Sequence, residues 1–238
     1  MFRKIVNNLL VKSGYEIINK QKLPTTKILG LKSLNINTII DVGANRGQFL
    51  GDYVKRFPVA QFFCFEPLTK EINELKKNSK KFKNKIVIVN SALGNMEGKT
   101  NFYQHKHTAS SSVLSTTEDC VVLYPETSDQ TNIEVKITTI DKYFGNILNE
   151  KHKNILLKLD VQGFELEVLK GAQKTLNMIS ACLLEINFTK LYNNQASFNG
   201  IYELFNKAGF KYAGAMEQNF NDEGRLVFSD ILFIRENL

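Results

Sequence analysis

The sequence predicts an α/β protein whose mostly parallel sheet is covered by helices on both faces. Three observations carry that expectation. From residue 38 onward, short apolar runs alternate with amphipathic ones, the pattern of repeated β-α units. Runs such as Phe62-Phe63-Cys64-Phe65 and Ile155-Leu156-Leu157 leave no polar face, as strands buried on both sides require. The last two strand-like runs have no helix between them and should close one edge as an antiparallel hairpin.

The elements follow in order. Phe2, Ile5, Val6, Leu9 and Leu10 recur at helical spacing, with Arg3, Lys4 and Lys12 on the other side. Residues 1–36 are therefore read as a helical extension that either caps the main domain or touches a membrane surface, and residues 37–238 as that domain. Asn7, Asn8 and Lys12 interrupt any signal-peptide core, so the segment is read as part of the mature protein. Strand 38–42, helix 46–57, strand 60–65, helix 68–80 and strand 86–92 come next. The interval 94–150 breaks the rhythm. Strand-like pieces at 98–103 and 132–138 flank the polar stretch from Gln104 to Asp129, which contains Ser110-Ser111-Ser112 and is long enough to be a lid or an open loop. Strand 153–160, helix 164–178, strand 180–187 and helix 199–208 restore the pattern. Gly209 is a helix stop, and strands near 210–215 and 226–235 finish the sheet, joined by a polar loop from Glu217 to Arg225.

Bulk properties narrow the class. A 238-residue chain fits one domain that buries roughly 70% of its unfolded surface, so no metal or disulfide staple is needed. An apolar content of 43% with 23% charge excludes disordered and membrane-embedded classes. No run approaches the roughly 18 apolar residues needed to span a bilayer. The net charge of +7 concentrates in Lys76-Lys77 and Lys80-Lys81-Phe82-Lys83, read as the solvated face and end of one helix. Cys64, Cys120 and Cys182 are odd in number and far apart, which suits free thiols in a reducing cytoplasm.

In an open parallel sheet, ligands bind beyond the C-terminal strand ends. The first strand ends in Asp41-Val42-Gly43-Ala44-Asn45-Arg46-Gly47, an acid and a glycine-bracketed turn whose spacing is not that of a dinucleotide fold. The second ends in Glu66-Pro67, about twenty residues on, where a carboxylate meets a ribose. Asn90-Ser91-Ala92-Leu93-Gly94, Asp160 and Glu185-Ile186-Asn187 reach the same rim. Lys158 and Asp160, two apart on one strand, share a face and can pair. Glu165 stands at a helix start, where the dipole favours an acid. Asp160 with Glu165 or Glu185 would suit a divalent cation, although such carboxylate sets also arise without one. His105 and His107 are alternative bases to Asp160.

Asp41-Val42-Gly43-Ala44-Asn45-Arg46-Gly47-Gln48-Phe49, Phe65-Glu66-Pro67, Ser91-Ala92-Leu93-Gly94, and Leu157 to Glu165 with Leu169-Lys170-Gly171-Ala172 together resemble the FkbM family of S-adenosylmethionine-dependent methyltransferases. Gln162 stands where an acid is usual in that family, and Asn45-Arg46 fills the loop. The resemblance implies a Rossmann-like class I methyltransferase with a seven-stranded sheet. It also implies a methyl donor in the 41–47 loop, Glu66 on the ribose hydroxyls and residues 90–92 beside adenine. The residues so assigned to the donor are Asp41, Gly43, Asn45, Gly47, Phe49, Glu66, Pro67, Ser91, Ala92, Ser112 and Asp160. Asp160 is also the first candidate for the acceptor's proton.

The expected reaction is O-methylation of a sugar, glycan or small metabolite. A protein that binds the donor without turnover remains an alternative. A nucleic-acid methyltransferase fits less well, because Asp160-Val161-Gln162-Gly163 occupies the place of the Asn/Asp-Pro-Pro-aromatic turn common in such enzymes. A nicotinamide-dependent dehydrogenase is disfavoured by the glycine spacing and the lack of any Tyr-x-x-x-Lys.

Overall fold

A computed structural model describes residues 28–149 and 151–236, so the helical reading of residues 2–20 lies outside the described residues. A kinked 3-10 segment, Ile28–Leu34, leads in and buries Leu31 completely. The main sheet has seven strands in the order β3-β2-β1-β7-β8-β10-β9. They are β1 (Thr38–Val42), β2 (Gln61–Phe65), β3 (Ile86–Val89), β7 (Ile155–Leu159), β8 (Ile179–Asn187), β9 (Phe210–Phe220) and β10 (Leu226–Arg235). The first three, β7 and β8 run parallel. β10 enters antiparallel between β8 and β9, so the hairpin closes one edge as the missing helix predicted.

Every residue of β1 and β7 is buried, the signature of strands covered on both faces. One face packs Leu50, Tyr53 and Val54 of α1 (Gln48–Arg56) and Leu75 of α2 (Thr69–Ser79) against Ile39, Phe62 and Leu156. The other packs Phe144 of α4 (Ile140–Phe144), Val168 of α5 (Glu165–Lys170) and Phe205 of α6 (Phe198–Lys207) against Ile40, Leu157 and Leu184. Each such large apolar side chain contributes about 1.5–3 kcal/mol by leaving water.

Two expected elements divide. The run 86–92 is not one strand: β3 stops at Val89, and β4 (Ala92–Leu93) belongs to a second, three-stranded sheet with β5 (Gly98–His105) and β6 (Gln130–Thr138). Asn90 makes the break by turning its amide onto the carbonyls of Glu66 and Pro67. The expected helix 164–178 ends at Lys170, and Thr175–Met178 is a separate 3-10 turn. Gly171 stands at the break, packed so closely that an added Cβ would lie 2.0 Å from the Gly94 carbonyl oxygen.

The stretch from Gln104 to Asp129 is not an open loop. Ser112 pairs with Tyr103 through two backbone hydrogen bonds, and α3 (Glu118–Leu123) is capped by the Thr117 hydroxyl. That hydroxyl also donates to the Lys190 carbonyl, tying the segment to the chain just after β8. Among the described residues, no helix is long and apolar enough to cross a membrane.

Candidate active site

A cavity of about 360 Å³ opens at the C-terminal ends of β1, β2 and β7, within the size range of small-ligand sites. The turn after β1 forms its floor. Gly43 adopts φ +77°, and an added Cβ would meet the Asp160 carbonyl oxygen at 1.9 Å, so only glycine lets the ends of β1 and β7 approach this closely. The Gly43 and Ala44 amides donate to the Phe65 carbonyl, and the Asn45 amide donates to Glu66 Oε2 at 2.9 Å.

Glu66 is almost fully buried at the end of β2, its Oε1 accepting from the Leu68 amide at 2.8 Å. Burial pushes its carboxyl up to about 7 despite those two amides. Pro67, Ser91, Ala92 and Leu93 continue the wall, and Phe102, Val113 and Phe164 add apolar surface. The Ser91 hydroxyl is already committed to the Ala92 and Lys136 carbonyls.

The opposite wall is charged. Lys158 Nζ lies 3.3 Å from both Asp41 Oδ1 and Asp160 Oδ2 and donates to the Gly43 carbonyl at 3.2 Å. Burial opposes its charge, but the two carboxylates outweigh that and hold the ammonium's pKa above its ordinary value. Asp41, with no exposed surface, takes no well-formed hydrogen bond; its partner is the lysine's charge.

Beyond Asp160, the Gln162 side chain donates from Nε2 to Asp160 Oδ1 at 2.8 Å and to Glu185 Oε1 at 2.6 Å. Its Oε1 accepts from the Tyr192 hydroxyl at 2.8 Å. Asp230 sits directly across from Glu185 in the β8–β10 pair, and both line the cavity with Glu217 and Tyr53. Burial first, and then the Asp160 charge, push Asp230 up to about 7 and raise Glu185 well above the ordinary carboxylate range.

Of the residues assigned from the sequence, Gly43, Asn45, Phe49, Glu66, Pro67, Ser91, Ala92 and Asp160 all line this one cavity. Asp41, Gly47 and Ser112 stand behind its wall. Asp41 anchors Lys158; Gly47 supplies a left-handed turn at φ +87°; and the Ser112 hydroxyl bonds the Val161 and Gln162 carbonyls.

His105 and His107 are outside the lining. Phe102 faces the cavity, and His105, an odd number of positions along β5, points to the other side, where burial lowers its pKa. His107 is exposed and contacts the Ser110 hydroxyl.

The carboxylates offered to a divalent ion do not converge. Glu165 spends Oε1 on the Val161 and Gly163 amides, and the Gln162 amide stands between Asp160 and Glu185 where a cation would sit. No three His, Cys, Asp or Glu residues among those described are grouped to hold a metal. Tyr53, Asp230 and the bridging role of Gln162 were not read from the sequence. Their only sequence signal is a polar residue in an apolar run, as in Ser229-Asp230-Ile231-Leu232.

The sheet order, with an antiparallel strand inserted next to the edge and a cavity over the ends of β1, β2 and β7, defines a Rossmann-like class I methyltransferase fold. The chain belongs to the FkbM methyltransferase family, since the Methyltransferase FkbM domain model matches residues 41–212. A methyltransferase FkbM from Methylobacillus flagellatus KT is similar at 14% identity and a TM-score of 0.48. The match covers 84% of this chain but only 44% of that one, so this chain spans under half of that relative's length. A putative S-adenosylmethionine dependent methyltransferase from Listeria monocytogenes matches with a TM-score of 0.50 and 9% identity, over 87% of this chain and 97% of that one. The magnesium protoporphyrin IX methyltransferase from Synechocystis PCC 6803 is 10% identical over 98% and 97% of the two chains, with a TM-score of 0.47. No curated protein matches the chain significantly.

Proposed function

We propose that this protein transfers the methyl group of S-adenosylmethionine to a hydroxyl of a sugar, a glycan or a small metabolite in the cytoplasm. The observation that carries the reading is one cavity lined both by a buried ribose-type carboxylate, Glu66, and by the Asp160 and Glu185 carboxylates that the Gln162 amide bridges. Glu66 already accepts two backbone amides, which fix its carboxyl while its remaining lone pairs can take a diol. The apolar surface of Phe102, Val113 and Phe164 beside Ser91 and Ala92 suits a purine ring. A sulfonium is positively charged, and the carboxylates of the far wall favour it there.

Methyl transfer is an in-line displacement, so much of the rate comes from holding the acceptor oxygen and the methyl carbon collinear. A nearby carboxylate then has only to receive one proton. Three buried free cysteines, Cys64, Cys120 and Cys182, suit a reducing compartment.

The test is calorimetric titration with S-adenosylmethionine and, in parallel, NAD, using Glu66→Ala as control, followed by a mass-spectrometric screen of hydroxylated acceptors beginning with sugars. Selective donor binding weakened by the substitution and a mass gain of one methyl group on an acceptor are expected. Donor binding with no methylated product in any acceptor class would favour the binding protein without turnover, and preference for NAD would overturn the reading.

A further inference from the structure

We infer that Glu185 is the carboxylate that takes the acceptor's hydroxyl proton, and that Gln162 is the residue that positions it. The inference rests on the methyl-transfer reading above and adds the atoms that carry it out.

Two carboxylates flank the Gln162 amide, and they are not equivalent. Asp160 has both oxygens engaged: Oδ2 faces Lys158 Nζ at 3.3 Å, and Oδ1 accepts from Gln162 Nε2 at 2.8 Å. Glu185 accepts from the same Nε2 through Oε1 at 2.6 Å, while its Oε2 takes no hydrogen bond from any described residue and is not sealed from the cavity. Of these two, Glu185 is therefore the one that keeps an uncommitted oxygen for a substrate proton.

The amide cannot turn over without loss. Its carbonyl oxygen lies 2.8 Å from the Tyr192 hydroxyl, whose single proton is shared with the Ser110 carbonyl at 2.9 Å, and a flipped amide would set that carbonyl against two acids. The Gln162 backbone, at φ +56°, is held by the Ser112 hydroxyl on the Val161 and Gln162 carbonyls. Glu185 is thus fixed in place by a chain of partly buried hydrogen bonds.

Its charge environment suits the task. Burial first, and then the charges of Asp160, Asp230 and Glu165, disfavour its ionised form, and the Lys158 ammonium is shared between Asp41 and Asp160. A carboxylate raised in this way is a stronger proton acceptor than an ordinary one. In the step, a lone pair of the hydroxyl oxygen forms the new bond to the methyl carbon, and the carbon–sulfur bond breaks with its electrons going to sulfur. The hydroxyl proton passes to Glu185 Oε2 and later to water.

The test needs no acceptor. S-adenosylhomocysteine and sinefungin, whose protonated amine stands where the transferable methyl does, are titrated into the full chain and three variants. The wild type should prefer sinefungin. Glu185→Gln should reduce that preference about tenfold or more, the effect of one charge-assisted hydrogen bond, with S-adenosylhomocysteine affinity unchanged. Gln162→Met, similar in length but with no donor, and Tyr192→Phe should each reduce it by a smaller factor, again leaving S-adenosylhomocysteine affinity intact, which a merely structural role would not do.

No sinefungin preference in the wild type, or a preference that survives Glu185→Gln, overturns the assignment. If Glu185→Gln fails to fold, an undiminished preference in Gln162→Met overturns it as well. A wild type that binds neither compound overturns the methyl-transfer reading itself, an outcome distinct from the other three.

Discussion

Gly43 and Glu66 show how much a single position decides. A methyl group on Gly43 would meet the Asp160 carbonyl oxygen, and the backbone there already sits at a φ that side chains resist. Gly43→Ala should therefore lower stability by more than about 1 kcal/mol in urea denaturation and weaken donor binding with it. Glu66→Ala should leave the fold intact and weaken donor binding by about 1.5–3 kcal/mol, the range for hydrogen bonds to a charged group, measured by calorimetry.

Glu66, Asp160 and the Gly43 turn were legible in the sequence because each stands at the end of a parallel strand, and such ends share one rim. Tyr53 and Asp230 were not. Tyr53 lies inside a helix, and Asp230 joins the site only through the antiparallel register that sets it opposite Glu185. The two histidines show the converse, since residue type drew attention to them while strand parity turned His105 away.

At the scale of elements, periodicity located every strand of the main sheet and missed what ends them. It ran 86–92 together because Val89 and Ala92 are both apolar, whereas the break depends on the Asn90 side chain reaching two distant carbonyls. It extended helix 164–178 because a glycine within a helical pattern is tolerable, whereas α5 stops at Gly171, which lies tight against Gly94. The segment from Gln104 to Asp129 looked open because its polar side chains have their partners far away in sequence. Its backbone has such a partner too: the buried Tyr192 shares its one hydroxyl proton between the Ser110 carbonyl and Gln162 Oε1. Tyr192→Phe should cost about 0.5–1.5 kcal/mol in chemical denaturation, and hydrogen exchange should quicken around Ser110.

The whole molecule balances charges it has taken out of water. Lys158 is the central one, and Lys158→Met would leave Asp41 buried without a counter-charge. A loss of about 3–5 kcal/mol is expected by denaturation, partly restored by adding Asp41→Asn.

Glu66, Glu165 and Asp230 are all pushed up to about 7 by burial, from ordinary values of 4.5 for the glutamates and 3.8 for the aspartate. The folded state then holds protons that the unfolded chain has released. Stability of the ligand-free protein should accordingly fall as pH rises from about 4 through about 7, as thermal unfolding across that range would record. Donor affinity should move the other way if ionised Glu66 accepts the ribose hydroxyls, rising through about pH 7, and Glu66→Gln should flatten that rise.

The order in which the chain visits the sheet has a consequence for inheritance. Glu66, Pro67, Ser91 and Ala92 all precede residue 94, whereas Asp160, Glu185, Glu217 and Asp230 all follow residue 154, and the two groups meet where β1 lies beside β7. Substitutions or recombination confined to the later segment can alter the acid-lined wall while the earlier segment keeps the Glu66 wall intact. A lineage built on this plan can change what it modifies without relearning what it modifies with.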